Sequence, residues 1–568
     1  MVAFDRRRFL TQTLSASALA ATGISVSGCF SNDEPDPEFL YGVASGDPLA
    51  DRVILWTHAK VRDADTAVNL EWEVAADNTF AVPVARGTVT TGPEVGFTVK
   101  VDATGLQPGT EYFFRFKSLA ATSPVGRTRT LPTGAPSAVR LAVLSCSNYP
   151  AGFFNVYGAV ASSDAQYAVH LGDYIYEYAA NGYASSAAAS LGRVSVPATE
   201  IFSLQDYRTR YAQYRSDPDA KVLHGRMPMI AVWDDHELAN DAWRDGAENH
   251  TAATEGSFAA RRAAAQQAYH EWMPIRTGSD RGAIYRSFNF GSLLTLHMLD
   301  TRMVGRDQQI DVTALLNPAT AAQAQATFAS PNRQMLGTAQ LQWLQTGLTQ
   351  STATWQVLGQ QVLMGRMEFP ASILQALNPS NTSPEAQAAG QAAINNYLVA
   401  KAKRVAGAAL SASEAALLDT RLNPKLGYNL DAWDGYLAAR ETVLGSALQL
   451  RKRLVVLAGD THNAWHSNLT LKGLIPGGPP EGTKVGEEFA TPSVSSPGLE
   501  EALTLPPAQV EAIFRGVVDD LRWIDASRRG YLKMTFTATE AKGEWVFVNT
   551  IKSQTYTAAV GHTATFTA

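Results

Sequence analysis

The chain has 568 residues and a formal net charge of −6 at pH 7; its first 29 residues carry three arginines against one aspartate, which leaves −8 on the remaining 539. That balance excludes a basic nucleic-acid binder, and no nucleic-acid partner is expected, because there is no excess of cations to drive counterion release. With 45% hydrophobic and 18% charged residues the composition is ordinary for a globular protein, which excludes disorder and collagen-like fibre, and at roughly 100–200 residues per domain the length makes about two to four domains. Cys29 and Cys146 are the only cysteines, so no disulfide framework stabilises the fold.

At the N-terminus, Asp5-Arg6-Arg7-Arg8-Phe9-Leu10 precedes a weakly apolar run from Leu14 to Val26 and resembles a twin-arginine export signal. The run is shorter than the roughly 20 residues a spanning helix needs. Residues 1–29 therefore read as a leader for the twin-arginine export machinery, and the mature protein is expected in the periplasm or at the cell surface. Val26-Ser27-Gly28-Cys29 resembles a bacterial lipobox, and two readings stand: Cys29 is a lipid anchor, or it is incidental to a small-residue cleavage site. Residues 30–38, with Asp33, Glu34, Pro35, Asp36 and Pro37, read as a short stiff linker.

From 39 to 132 the pattern is short alternating strands, as in 52–58, 68–74 and 97–101, separated by Gly, Pro, Asp and Asn. The stretch Leu106-Gln107-Pro108-Gly109-Thr110-Glu111-Tyr112 resembles the turn and tyrosine corner of fibronectin type III domains, so this part is expected to be a fibronectin/Ig-like β-sandwich. After Pro132-Thr133-Gly134, buried strands alternate with Ala-rich helices, and 133–568 is expected to be a second domain, giving an α+β chain. Helices are expected over 258–272, 319–329, 385–403 and 411–418, the middle two starting at Asn317-Pro318 and Ser383-Pro384. Residues 367–424 form a helical excursion, a candidate lid or insertion. Strands near 532–537 and 543–550 close the domain.

Four apolar runs in the second domain stop at once in polar, ligand-type residues. They lead into Ser145-Cys146-Ser147-Asn148, Gly172-Asp173-Tyr174-Ile175-Tyr176-Glu177, Asp234-Asp235-His236-Glu237 and Gly459-Asp460-Thr461-His462. Loops beyond the carboxyl ends of strands are where sites assemble in open α/β sheets, so four such ends imply one centre for two or more cations.

These four motifs in this order resemble the PhoD-like alkaline phosphatases of the metallophosphatase superfamily. Asp206-Tyr207-Arg208-Thr209-Arg210-Tyr211, Tyr269-His270-Glu271-Trp272-Met273-Pro274, Leu299-Asp300-Thr301-Arg302 and Thr491-Pro492-Ser493 are also similar to that family. The resemblance implies an αββα metallophosphatase sandwich after the β-domain, and Fe³⁺ with one or two Ca²⁺. The metal ligands it implies are Cys146, Asp173, Tyr176, Asp235, Asp460 and His462. Asp173 has two oxygens with which to bridge two cations, and a Cys146 thiolate beside the Tyr176 phenolate suits trivalent iron. Asp235 stands where relatives with a Gly-Asn-His motif carry a metal-binding Asn. His236 is the expected catalytic residue at the leaving alkoxide, and Asn240 is a second catalytic or phosphate-contacting candidate. Arg208 is the substrate-binding candidate, a solvated helix face being its other reading; Glu177 and Asp234 are expected to orient their neighbours.

The implied reaction is hydrolysis of a phosphate mono- or diester by a hydroxide bridging the metals. One alternative is a phospholipase D-like phosphodiesterase on the same scaffold, its preference set by the helical excursion. A more distant one is a non-catalytic envelope binding protein.

Overall fold

A computed structural model describes residues 36–119, 121–376, 383–474, 477–503 and 505–567. The leader, Cys29 and residues 30–35 of the linker lie outside the described residues. Among the described residues, no helix is long and apolar enough to cross a membrane.

Alternation builds the N-terminal part. In Val68–Ala75 the side chains of Val68, Leu70 and Val74 point inward while Asn69 and Glu71 are exposed, and in Glu111–Lys117 the inward set is Tyr112, Phe114 and Phe116. These strands sit at the centre of a four-stranded sheet in the order 83–91, 68–75, 111–117, 126–129. Their apolar face shares one core with Val53, Leu55, Val99 and Ala103 of the strands Arg52–His58 and Thr98–Thr104. The Tyr112 hydroxyl accepts a hydrogen bond from the Gln107 amide at 2.9 Å, which ties down the turn ahead of its strand.

The strands facing that sheet continue into a larger one. A nine-stranded sheet runs 558–567, 540–548, 530–536, 139–144, 167–170, 229–231, 43–46, 52–58, 98–104. The join is a parallel pairing of Met229 with Gly46. Only glycine fits there, since a Cβ at Gly46 would lie 2.2 Å from the Pro274 carbonyl oxygen. Arg276 with Asp102 and Arg286 with Asp47 add ion pairs across the same junction, the second of them largely buried.

Strands 139–144, 167–170 and 229–231 are parallel, and nearly every residue in them is buried. Such continuous apolar runs belong to strands covered on both faces. A second, seven-stranded sheet runs 286–290, 294–298, 355–359, 454–458, 484–490, 464–470, 521–525. Its Val357, Val455 and Leu457 share a core with Val143, Val169 and Leu532 of the first sheet, so the two sheets bury each other. Tyr157, Tyr207, Tyr211 and Tyr269 bring the helices Asn155–Ala161, Leu204–Ser216 and Phe258–Trp272 into that core. The helices Gly337–Gln350, Leu437–Gln449 and Pro507–Val517 bury Leu344, Leu444 and Phe514 with Leu358 and Val456 in another.

Phe258–Trp272 is helical over the expected residues, and the helix Pro384–Val405 is capped where its sequence indicates, with Ser383 Oγ accepting from the Ala386 amide at 3.1 Å. Asn317-Pro318 does not start a helix. Asn317 Oδ1 takes the Ala319 amide at 3.0 Å in a local turn, and the helix begins at Ala321. The strands near 532–537 and 543–550 do not close the domain: Ala558–Thr567 pairs with Glu540–Val548 as the edge of its sheet.

The excursion is closed at its base by an antiparallel ladder of Glu368–Pro370 with Lys425–Gly427. Its long helix buries Ile394 and Tyr397 in the core that holds Val510 and Phe514. Beneath the ladder, buried Asp434 accepts from the Met367 amide at 2.7 Å while its Oδ1 has no partner. Burial and nearby Glu368 push its carboxyl up to about 7, against the pull of the Met367 amide, Arg440 and Arg366. The folded chain thus holds this proton to higher pH than the unfolded chain does. Unfolding releases it between about pH 4 and 7, so the contribution of Asp434 to stability falls as pH rises through that window. Asp434→Asn is expected to flatten this fall, so that urea denaturation at pH 5 and pH 8 shows the variant gaining on the parent protein at the higher pH.

Candidate metal centre

The four ligand-bearing strand ends converge from both sheets: those after 144, 170 and 231 leave the nine-stranded sheet, and the one after 458 leaves the seven-stranded sheet. Strand geometry ends abruptly there. Cys146, Asp173, Asp460 and His462 all occupy the left-handed region, with φ of 61°, 57°, 64° and 63°. Each such residue costs on the order of 1–3 kcal/mol, and strain of this kind collects where side chains must be aimed rather than merely packed. Gly172 lets the second and third strand ends close on each other, since a Cβ on it would lie 2.4 Å from Asp234 Cβ.

Three overlapping groups of donor atoms result: Cys146 with Asp173 and His462; Asp173 with Asp235 and His236; Asp234 with Asp235 and Asp460. Within each group the atoms lie no more than 4.8 Å apart. Asp173 joins the first two groups and Asp235 the last two. The Tyr176 hydroxyl completes the first group, donating to Asp173 Oδ2 at 2.9 Å and lying 3.2 Å from His462 Nε2. Ser496 Oγ donates to that phenol at 2.6 Å. The Pro497 carbonyl lies 2.6 Å from His462 Nδ1, which assigns the ring proton to Nδ1 and leaves the Nε2 lone pair facing Tyr176 and Asp173.

Glu237 locks two of the strand ends together. Its buried carboxylate accepts from the amides of Asp173, Tyr174 and Asp234 at 3.0, 2.7 and 2.8 Å. Arg302, fully buried, ties in the rest by donating to Asp234 Oδ1, Asp431 Oδ1 and Asp460 Oδ1 at 2.5, 2.8 and 2.8 Å.

His236 Nδ1 lies 2.7 Å from Glu177 Oε2, and its ring packs on Tyr176 with centroids 4.2 Å apart. Burial works against its protonation, but Asp235, Glu177 and Asp173 outweigh it and hold the imidazolium well above the usual histidine range. Glu177 also accepts from the Asn240 amide and Asn249 Nδ2, both at 2.8 Å.

Seven of the sequence-derived candidates thus come together: Cys146, Asp173, Tyr176, Asp235, His236, Asp460 and His462. Asn240 sits at the edge through Glu177, its side chain bonded to Glu248 at 3.2 Å. Arg208 is elsewhere. It is paired at 2.7 Å through both Nε and Nη2 with Glu271, and Nη2 also donates to the Glu94 carbonyl, so it fastens helix 204–216 to the N-terminal strands. Arg210, two residues on, is buried against the carbonyls of Tyr176, Val196 and Pro197. His170 is a core residue, 2.9 Å from the Tyr157 hydroxyl. Arg302, Glu237 and Ser496 had no role assigned from sequence. Arg302 could have been found, because strand 294–298 also ends in polar residues, Asp300-Thr301-Arg302; nothing local marks Ser496.

The donor set fits cations. Asp173 Oδ1, Asp234 Oδ2 and Asp235 Oδ1 are buried without a hydrogen-bond partner. Burial, reinforced by Asp173, pushes the Cys146 thiol and the Tyr176 phenol well up, and burial pushes up Asp234 and Asp460 despite Arg302. Positive charge among these atoms reverses each of those shifts. Arg302 supplies some of it. Arg302→Met is therefore expected to destabilise chelator-treated protein by about 3–5 kcal/mol, the cost of leaving buried carboxylates unpaired. Added divalent cation is expected to recover part of that loss, as read by denaturant unfolding with and without chelator.

Residues 141–545 match the family of PhoD-like phosphatases, and residues 24–132 match the N-terminal domain of PhoD-like phosphatases. Alkaline phosphatase D of Bacillus subtilis (strain 168) is 35% identical over 489 residues, covering 82% of this chain and 72% of that protein. A solved structure described as "Structure of PhoD" matches with a TM-score of 0.73 at 30% identity, over 94% of this chain and 91% of that one. The chain belongs to the PhoD-like phosphatase family and is a hydrolase acting on phosphoric ester bonds.

Proposed function

We propose that the chain is an exported, metal-dependent phosphoesterase that hydrolyses phosphate mono- and diesters at the cluster joined by Asp173 and Asp235. The observation that carries this reading is the overlap of the three donor groups at those two carboxylates, each of which keeps one buried oxygen without a hydrogen-bond partner. In this reading Cys146, Tyr176, Asp173 and His462 hold Fe³⁺, for which thiolate, phenolate and imidazole are apt donors. Asp173, Asp234, Asp235 and Asp460 offer only oxygen and hold one or two Ca²⁺. Cations bound there neutralise the phosphoryl oxygens and acidify the water that attacks phosphorus.

The chain's own residues do the rest. Glu237 keeps two strand ends in register, and Arg302 holds Asp234 and Asp460 in place while removing part of their mutual repulsion. Glu177 takes His236 Nδ1, so the other ring nitrogen carries the proton delivered to the leaving alkoxide. Asn240, whose backbone amide donates to Glu177, is in this reading the candidate contact for a phosphoryl oxygen. A second reading of His236 has its own support: a ring nitrogen lies within 4.8 Å of carboxylate oxygens of Asp173 and Asp235, as a metal ligand would.

Around this site we read the fold as a fibronectin/Ig-like β-sandwich followed by an αββα metallophosphatase sandwich, a reading supported by the sheets that share cores in each part. Arg6-Arg7 and the short apolar run after them support export by the twin-arginine route to the periplasm or cell surface, with Cys29 as the anchor if it is lipidated.

The test is hydrolysis of a phosphate monoester and a diester by the purified protein across alkaline pH, with and without a calcium chelator, alongside metal analysis. Chelation is expected to stop turnover and calcium to restore it, and the ratio of the two rates sets the preferred ester. Asp173→Asn is expected to lose activity and metal together. His236→Ala is expected to keep its metals and turn over about 10²–10⁴-fold more slowly, the usual size of an acid–base contribution; loss of metal in that variant instead makes His236 a ligand. A folded protein with neither turnover nor bound metal overturns the reading.

A further inference from the structure

Beside the metal centre, across the loop that carries Ser495 and Pro497, lies a cationic cavity that no part of the proposed reaction uses. It has a volume of about 280 Å³, and Arg528, Arg529, Lys552, Ser495 and Pro497 are among the residues lining it. We propose that it receives a second phosphate of the substrate, so that the enzyme favours phosphoesters bearing another phosphate at a set distance from the scissile one. The proposal rests on the phosphoesterase reading above.

The cavity and the centre share a wall. The amides of Ser495 and Ser496 both bond to the Cys146 carbonyl at 3.3 Å. Pro497 lines the cavity, while its carbonyl meets His462 Nδ1 at 2.6 Å and accepts from the Tyr183 hydroxyl at 3.1 Å. Tyr183 stands between the two sites and Ala184, next along the chain, lines the cavity.

The cations here are only partly neutralised. Arg528 Nε donates to Asp525 at 2.6 Å. Arg529 pairs with Glu500 and donates from Nη1 to the Ser527 carbonyl at 2.7 Å, while its Nε is buried without a partner. Lys552 Nζ donates to the Ala151 carbonyl and, among the described residues, has no ion pair. Burial and Arg529 both depress the Lys552 ammonium, Glu501 on the lining being the group that favours it. An ammonium without an ion pair beside a guanidinium whose Nε–H has no partner makes a site suited to a dianion, and Arg with Lys is the donor set suited to phosphate.

The experiment compares steady-state hydrolysis of α,ω-alkanediol bisphosphates of three to eight carbons with alkyl monophosphates of the same lengths, at fixed free calcium. At one spacer length KM for the bisphosphate is expected to fall about tenfold below that of the monophosphate, the scale of one charge-assisted contact. Lys552→Gln and Arg528→Gln are expected to erase that advantage and leave kcat and KM for the monophosphate unchanged; both residues belong to the surface of the cavity and not to the metal centre. A bisphosphate advantage absent at every length, or one that survives both substitutions, overturns the proposal while leaving the phosphoesterase reading intact. Failure of the parent protein to hydrolyse either series overturns the reading and the proposal together.

Discussion

Negative charge held out of water is the constraint on which the rest of this structure depends. Asp173, Asp234 and Asp235 are buried and Asp460 nearly so, all at one junction between two sheets. Taking each charge out of water costs several kcal/mol, recovered only where opposite charge or strong donors meet it. Among the described residues the chain sets two cations against them, the Arg302 guanidinium and the His236 imidazolium. What it leaves is three buried carboxylate oxygens without a hydrogen-bond partner, and that deficit is the physical basis of the metal centre proposed here.

The fold is arranged around the deficit. Sheets packed face to face supply a rigid floor, and their strands end at the same level, so the loops that leave them arrive together. Four residues at those ends adopt left-handed backbone conformations that packing alone gives no reason to choose. The buried tyrosines and the paired sheet cores offset that cost, and stability gathered at a distance is spent at the site. Loop 493–498 deepens the arrangement: it orients His462 and Tyr176 on one side and walls the cationic cavity on the other, so the reacting centre and the proposed second phosphate site are set by the same backbone.

The N-terminal part is bound to this frame more tightly than its texture indicates. Its strands 43–46, 52–58 and 98–104 extend the nine-stranded sheet, and Arg208, Arg276 and Arg286 bridge it to the body through the Glu94 carbonyl, Asp102 and Asp47. Alternating strands announce a β-sheet layer, yet nothing in a local pattern says which sheet an edge strand will join. A helix-face arginine such as Arg208 is ambiguous for the same reason, since its partner lies 63 residues away.

The amino-acid sequence by itself determined several of the strands, the helices at 258–272, 385–403 and 411–418, the family, and the residues from which a centre could be built. Each rests on information carried locally: hydrophobic period, a capping serine, or a Gly-Asp turn directly after an apolar run. Only the tertiary structure decided that Cys146, Asp173, Asp235 and Asp460 face one another, that Arg302 stands among the carboxylates, and that Arg208 and Arg210 serve the scaffold. It likewise decided that Arg529 and Lys552 lie across one loop from His462. Those facts are distances between segments up to several hundred residues apart, and they exist only once two sheets have closed on each other.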